Sequence, residues 1–411
     1  MTTQFARSGI NLVDADLPTL AYDHLHDPDQ AHAAIAAARR QASIAIGPHG
    51  PEILSYELVR TVLRDPRFVS ATGLSLDVQG ITAGPLRDRA ARNILGLDGA
   101  EHHRLRRLVS KAFAPRGAER LRDVVVDTIS DLVERFTRIG HCDVVTDIAR
   151  RYPTPIICAL LGAPREDWPL ISDWTDQIKK LFEWNLAADG DAIEAAWDEL
   201  DDYLENMVEQ RRHELTDDLI SDLIHAEDDG DRLAHSELLM LAAALLVAGT
   251  DTTRNQLAAA VHALADHPDQ WALIGEHPEL AASAVNEVMR YYPVVLATIR
   301  QAAETVELDG IVIPAGTLVV ANTAAANRDE EVYDDPHRLD VTRTQSPPML
   351  TFGGGVHYCL GAHLARVELV EALRLMTRRM PDPVAVAPAR WNVMSGITGP
   401  AELRIAFARG H

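Results

Sequence analysis

Cysteine is scarce in this chain of 411 residues, which holds Cys142, Cys158 and Cys359 and no others. An odd and widely spaced set builds no disulfide framework and fits a reducing compartment. Cys142 and Cys158 read as small apolar side chains in packed positions. Basic charge is short as well: 39 Lys and Arg face 61 Asp and Glu, a net charge of −22, which argues against nucleic acid as a partner. The longest unbroken apolar run, Leu238 to Ala248, stops at eleven residues, below the roughly 18 that a membrane span takes. The start, M-T-T-Q-F-A-R-S-G-I-N-L, lacks an apolar stretch of signal-peptide length, so a cytoplasmic protein without a membrane span is expected. Repeats, low-complexity tracts and Gly/Ser linkers are missing, and residues 1–411 are read as one domain. Aromatic residues make up only 5 %, so the grouping of Trp168, Trp174, Phe182, Trp184 and Trp197 stands out, either as helix packing or as a mobile apolar lid.

What the chain does have is enough apolar residue, 47 %, for a large core, arranged mostly at helical spacing. The fold class is mainly α, with small β-sheets near the N-terminus and in the last third. Ser43–Ile46 and Pro51–Leu54 flank G-P-H-G and read as a hairpin. Ser55 is placed to cap a helix that Asp65-Pro66 ends. Residues 70–99 carry five glycines and little periodicity, and are expected to form a long functional loop. Helical patterns follow over 101–138 with a break near Pro115, over 144–163, and over 166–213 as two amphipathic helices. Ser236 is expected to cap a long helix over 237–266. Short strands are expected at 305–308, 311–313, 317–321 and 403–407.

Chemistry concentrates in F-G-G-G-V-H-Y-C-L-G, Phe352 to Gly361. Cys359 opens a helical pattern, where unpaired N–H groups and the helix dipole favour a thiolate. Glycines there permit sharp turns and close approach to something large. His357, Cys359 and His363 are too few for a closed zinc site, and no phosphate-loop pattern is present. An axial thiolate to haem iron is the third reading. In the middle of the long helix lies Ala248-Gly249-Thr250-Asp251-Thr252-Thr253. Its glycine costs about 1 kcal/mol against Ala in a helix interior, and its threonines and aspartate could locally unwind the helix. The segment reads as a proton relay over a ligand or as a helix crossing. Glu287 and Arg290 sit three apart and can pair, with Arg338 as a third partner. Within 101–120, six basic residues face two acidic ones, either a solvated face or a docking patch for an acidic partner.

Together these residues resemble the bacterial, soluble haem-thiolate monooxygenases of the cytochrome P450 superfamily, and the resemblance runs along essentially the whole chain. Phe352, Gly353, Gly355, His357, Cys359 and Gly361 match the family's F-G-x-G-x-H-x-C-x-G loop. Ala248, Gly249, Asp251, Thr252 and Thr253 match its oxygen-activation motif. Glu287 and Arg290 match E-x-x-R, while His102 and Arg106 match H-x-x-x-R. The resemblance implies haem b ligated by Cys359, with Phe352 and Gly361 beside the sulfur and Ala248 and Gly249 against the cofactor. It implies propionates clamped by His102, Arg106, Arg300 and His357, with Arg300 just before the first late strand, and an ion-pair triad of Glu287, Arg290 and Arg338. Thr252 would hold the proton network and Asp251 would supply protons. That intact pair favours O2-dependent hydroxylation or epoxidation over a peroxide-driven or coupling enzyme, and over a haem sensor without turnover. Leu97 from the variable loop, Phe182, Trp184, Leu245, Ala248, Val295, Leu296 and Ile397 would line a pocket for a lipophilic small molecule. The chain holds no flavin or iron–sulfur motif, so electrons are expected from a ferredoxin and its NAD(P)H-dependent reductase. The ferredoxin would dock on Arg104, Arg107 and Lys111, on a chain acting as a monomer.

Overall fold

The computed structural model of the chain describes residues 9–71, 76–183, 186–228, 233–344 and 347–409. Its organising element is the helix His235–Ala265, against which Pro153–Leu161, Trp168–Ile178, Leu186–His213, Ala281–Tyr291 and Ala362–Arg379 pack most extensively, with Leu219–Asp228 and Pro268–Glu276 also in contact. Burial on most sides explains why the run Leu238 to Leu246 is apolar without a polar stripe. By length and composition this helix could cross a membrane. Its packing decides otherwise, since Asp251, Arg254, Asn255 and Gln256 are buried in it among protein neighbours. The helix starts two residues before the expected position. Ser236 does not cap it; the Glu237 carboxylate instead reaches back and accepts the Ala234 N–H at 2.8 Å.

A five-stranded sheet forms the second part of the frame, in the spatial order Ile44–Gly47, Gly50–Ile53, Leu318–Asn322, Ala297–Ala302, Phe68–Ser70. The expected hairpin pairs Ile46 with Pro51 and Gly47 with Gly50. Ala297–Ala302 was not among the expected strands. It places Arg300 inside a strand, opposite Ser70 on one side and Val319 on the other, and not ahead of one. A smaller apolar cluster around Ile44, Ile53, Val59, Phe68 and Val319 lies against this sheet, and the larger core surrounds the long helix. Near the C-terminus Arg404–Ala406 pairs with His141–Asp143 and Val384–Ala385.

Three further expectations are corrected. The 70–99 stretch contains a helix, Pro85–Arg92, that buries Leu86 and Ala90; its density of arginine masked the apolar spacing. The 144–163 segment is not one helix but a π-helical turn, Val144–Ile148, a short 3-10 turn, Ala149–Arg151, and then Pro153–Leu161. Prolines at 153 and 155 are tolerated only in a first turn, so the helix begins there. Ser55 precedes the helix Tyr56–Val62 without capping it by its side chain. Asp329 Oδ2 accepts the Tyr56 N–H at 2.8 Å from across the chain.

Candidate active site

The cysteine loop is shaped by its own glycines. Gly353 and Gly355 have φ of +71° and +64°, a region that residues with a Cβ rarely adopt. A Cβ at Gly354 would stand 3.2 Å from the Leu63 side chain, so the loop lies on the residues that follow the helix Tyr56–Val62. The large neighbour that these glycines approach is the protein itself. The loop is closed by the Cys359 N–H donating to the Phe352 carbonyl at 2.9 Å. Gly361 occupies the N-cap position of Ala362–Arg379, and no protein atom lies within 4 Å of where its Cβ would stand. The Cys359 side chain is accessible yet sits deep enough that desolvation pushes its thiol pKa up, against the lowering effects of the Gly361 N–H, Arg106 and Arg366. The helix-start N–H and the two arginines act toward the thiolate, as the sequence leads one to expect, while desolvation acts against it, and a bound metal ion would add to the former. Cys142 and Cys158 are buried, and burial pushes both thiols up to about 12.

Beside the loop, the helix Gly99–Phe113 presents His102 and Arg106, and the strand Ala297–Ala302 presents Arg300. His102 is 1 % exposed, its ring centroid lies 4.3 Å from that of His357, and its Nδ1 has no partner. Desolvation, with His357 and Arg106 next in weight, lowers its pKa to about 4. Arg106 donates to the Tyr358 carbonyl, and desolvation lowers its pKa. Among the described residues Arg300 is buried with the Thr298 hydroxyl at 3.1 Å and the Ile299 carbonyl at 2.8 Å as its hydrogen-bond acceptors; desolvation lowers its pKa, against the opposing charge of Asp98. A buried guanidinium without a carboxylate in contact is costly. The combination of two arginines, two histidines, an orphaned Nδ1 and an accessible cysteine fits a ligand that brings two carboxylates and a metal, which is the donor set haem needs.

On the long helix, Leu245, Ala248 and Thr252 share one face. Ala248 is exposed and Thr252 part-buried, although Thr250, Asp251 and Thr253 around them are buried, and Leu245 is packed into the core. The helix stays α-helical through this segment, without the expected unwinding. The Thr252 hydroxyl donates to the Ala248 carbonyl at 3.2 Å, and the Asn255 amide donates to the Asp251 carbonyl at 2.9 Å. A Cβ at Gly249 would stand 2.9 Å from Ile157 of Pro153–Leu161, so this glycine lets the two helices cross closely, one of the two readings the sequence offered for this segment. Asp251 is buried and ion-paired, through Oδ1, to Arg254 and to Lys179 at 3.5 Å, while Oδ2 has no partner. Arg254 and Lys179 also reach Asp176 on Trp168–Ile178. The acid is thereby joined to the helix that precedes Phe182.

Glu287 and Arg290 form a fully buried bidentate pair, both contacts at 2.8 Å. The third member is Arg343, not Arg338: its Nε lies 3.2 Å from both Glu287 oxygens. Arg338 contributes only its carbonyl, to Arg290 at 3.1 Å and to Arg343 at 3.0 Å, and its side chain points to Asp340 at the surface. Sequence spacing offers both arginines, and only the backbone path tells them apart. Of the expected pocket residues, Leu97, Phe182, Val295 and Ile397 are part-buried, and Val295 pairs with Ile397 in an isolated bridge. Leu296 is 2 % exposed and belongs to the core, as strand alternation after an accessible Val295 requires. Trp184 lies outside the described residues. Arg343, Asp98 (a hydrogen-bond partner of His357) and the Asp251 partners Lys179 and Arg254 are site residues that sequence reasoning missed.

Comparison with known proteins agrees with this arrangement. The family profile "Cytochrome P450" matches residues 170–276 and 276–379. The chain is 37 % identical over 399 residues to luteothin monooxygenase of Streptomyces thioluteus, covering 96 % of this chain and 97 % of that protein. It is 38 % identical over 369 residues to mycinamicin IV hydroxylase/epoxidase of Micromonospora griseorubida, covering 88 % and 91 %. Among solved structures it resembles that of CalO2, with a TM-score of 0.87 at 32 % identity over 94 % of this chain and 97 % of the other.

Proposed function

This chain belongs to the cytochrome P450 family and is a haem-thiolate monooxygenase, and from that premise we propose which residues do the work, on what kind of substrate and with which partner. The observation that carries the reading is the accessible Cys359 beside buried His102 and Arg300 and part-buried Arg106 and His357, with no carboxylate among the described residues hydrogen-bonded to Arg300, together with the exposed Ala248 and part-buried Thr252 on a helix whose Thr250, Asp251 and Thr253 are buried. Haem, when bound, supplies the oxygen-activating chemistry. Cys359 would hold its iron as thiolate, and His102, Arg106, Arg300 and His357 would hold its carboxylates. Thr252 offers a proton at Oγ1. Asp251 holds the acid end of the relay, oriented by Lys179 and Arg254. Leu245, Phe182, Val295 and Ile397 make the lining apolar and exclude water, which suits a lipophilic small molecule that is hydroxylated or epoxidised. The whole chain acts as one catalytic unit.

Electrons come from a separate ferredoxin and its reductase. Arg104 is turned to Glu237, which leaves exposed Arg107 and Lys111, with exposed Val356 and Tyr358 of the cysteine loop, as the docking side. Reversing both charges, Arg107→Glu with Lys111→Glu, is expected to lower ferredoxin-supported turnover about tenfold or more and flatten its salt dependence, with heavy-isotope dioxygen still labelling the product that remains. Unchanged turnover and salt dependence would reject this docking face; product free of the label would reject the O2-dependent reaction.

A further inference from the structure

Asp98 is a carboxylate in a cluster otherwise built to attract carboxylates. It stands at the N-cap position of Gly99–Phe113 but makes no capping bond to its own helix. Both of its oxygens are used elsewhere. Oδ1 accepts the His357 Nε2–H at 2.8 Å, and Oδ2 accepts the Ser70 N–H at 2.6 Å. Ser70 is in turn the register partner of Arg300. His102 and Arg106 follow Asp98 at intervals of four residues and so share its face of the helix. One side chain therefore links the helix with His102 and Arg106 to the loop with His357 and Cys359, and, through Ser70, to the strand Phe68–Ser70 that pairs with the one bearing Arg300. Asp98 also lies close enough to Arg300 and His102 to be felt electrostatically by both.

A carboxylate here repels the very group that the cluster would hold, so its presence calls for a compensating role. A helix cap is not that role, since the capping bond is absent. Nor does it neutralise Arg300, whose hydrogen bonds go to Thr298 and Ile299. What Asp98 does is occupy Nε2 of His357 and fix the plane of that ring against His102, leaving Nδ1 as the edge available to a ligand. We propose that Asp98 is a positioning residue for the haem carboxylates, setting the orientation of His357 and the spacing between the cysteine loop, the helix Gly99–Phe113 and the strand bearing Arg300. This inference rests on the haem reading above.

The test uses holoenzyme of the wild type, Asp98→Ala and Asp98→Asn. The readouts are haem transfer to excess apomyoglobin, the propionate bending bands in the resonance Raman spectrum, and the absorption of the reduced, carbon-monoxide-treated sample. Asp98→Ala is expected to release haem about tenfold faster, the lower end for losing an outer-shell partner, and to shift a bending band, with the thiolate-type absorption retained. Asp98→Asn, whose amide oxygen can still accept from His357, is expected to keep most of the wild-type rate and band. Faster release with unmoved bands would show a merely structural role and overturn the proposal, as would an Asp98→Asn indistinguishable from Asp98→Ala. Should Asp98→Ala fail to fold, Asp98→Glu displaces the carboxylate by one methylene and is expected to shift the band; an unshifted band overturns the proposal. A wild type without haem absorption would instead refute the underlying reading.

Discussion

At Thr252 a single part-buried hydroxyl shares a helix face with exposed Ala248 and, among the described residues, is bonded only to the Ala248 carbonyl of its own helix. That back-bond leaves the oxygen free to accept, so it can pass on a proton without moving backbone. Its neighbour Asp251 points a different way, into the pairs with Lys179 and Arg254, so in the proposed relay Thr252 would hold the proton at the site and Asp251 would connect it to the polar side of the helix. Thr252→Ala is expected to keep NAD(P)H consumption within about threefold while product per NAD(P)H falls by about a hundredfold and peroxide rises, the lower end of the effect expected for one general-acid group. A product yield unchanged by the substitution would count against the role. The residue type and position of this pair were legible in the sequence, and the direction in which Asp251 points was not. A motif fixes spacing along the chain, whereas Lys179 approaches from a separate element.

Among the elements, the segment around Arg338 and Arg343 shows how a motif can be right in kind and wrong in member. Arg290 must satisfy its guanidinium with carbonyls of Asn327, Pro336 and Arg338 as well as with Glu287. Turning the Arg338 carbonyl inward turns its side chain outward, and Arg343 fills the third place. Arg343→Ala leaves part of the buried Glu287 charge uncompensated and is expected to destabilise by about 2–4 kcal/mol, whereas Arg338→Ala stays within about 0.5 kcal/mol. Denaturant midpoints of the two variants check this, and equal midpoints would contradict the assignment. The same limit governs the other elements. Long amphipathic helices and the Pro48-His49 hairpin are written in local spacing and local turn chemistry. The strand Ala297–Ala302 and the helix Pro85–Arg92 are not, because each takes its form from a partner elsewhere: two neighbouring strands in one case, and burial of only Leu86 and Ala90 in the other. Gly249 belongs here too, since its reason is Ile157 on another helix.

For the molecule as a whole, the cluster of Tyr22, Glu52 and Asn322 ties the N-terminal segment to the five-stranded sheet. Glu52 Oε2 accepts from Asn322 Nδ2 at 2.9 Å and from the Tyr22 hydroxyl at 3.2 Å. Burial, only partly offset by these bonds, raises its carboxyl pKa from 4.5 to about 7. A folded pKa above the unfolded one means that the native state holds the proton more tightly. This stability is fully present below the unfolded value near 4.5 and is lost as pH rises through 7. Glu52→Gln, which can accept the same two hydrogen bonds without ionising, is therefore expected to gain on the wild type as pH rises from 5 to 8, by at most about 3 kcal/mol. Denaturation at both pH values measures it, and a constant difference would contradict the assignment. The central claim is that Cys359, the basic cluster and the face of Ala248 and Thr252 together hold haem through a thiolate. The reduced, carbon-monoxide-treated absorption spectrum tests it most directly: the red-shifted band of thiolate-ligated haem is expected in the wild type and not in Cys359→Ala, and a wild-type preparation that is colourless, or keeps the band without Cys359, would contradict the account.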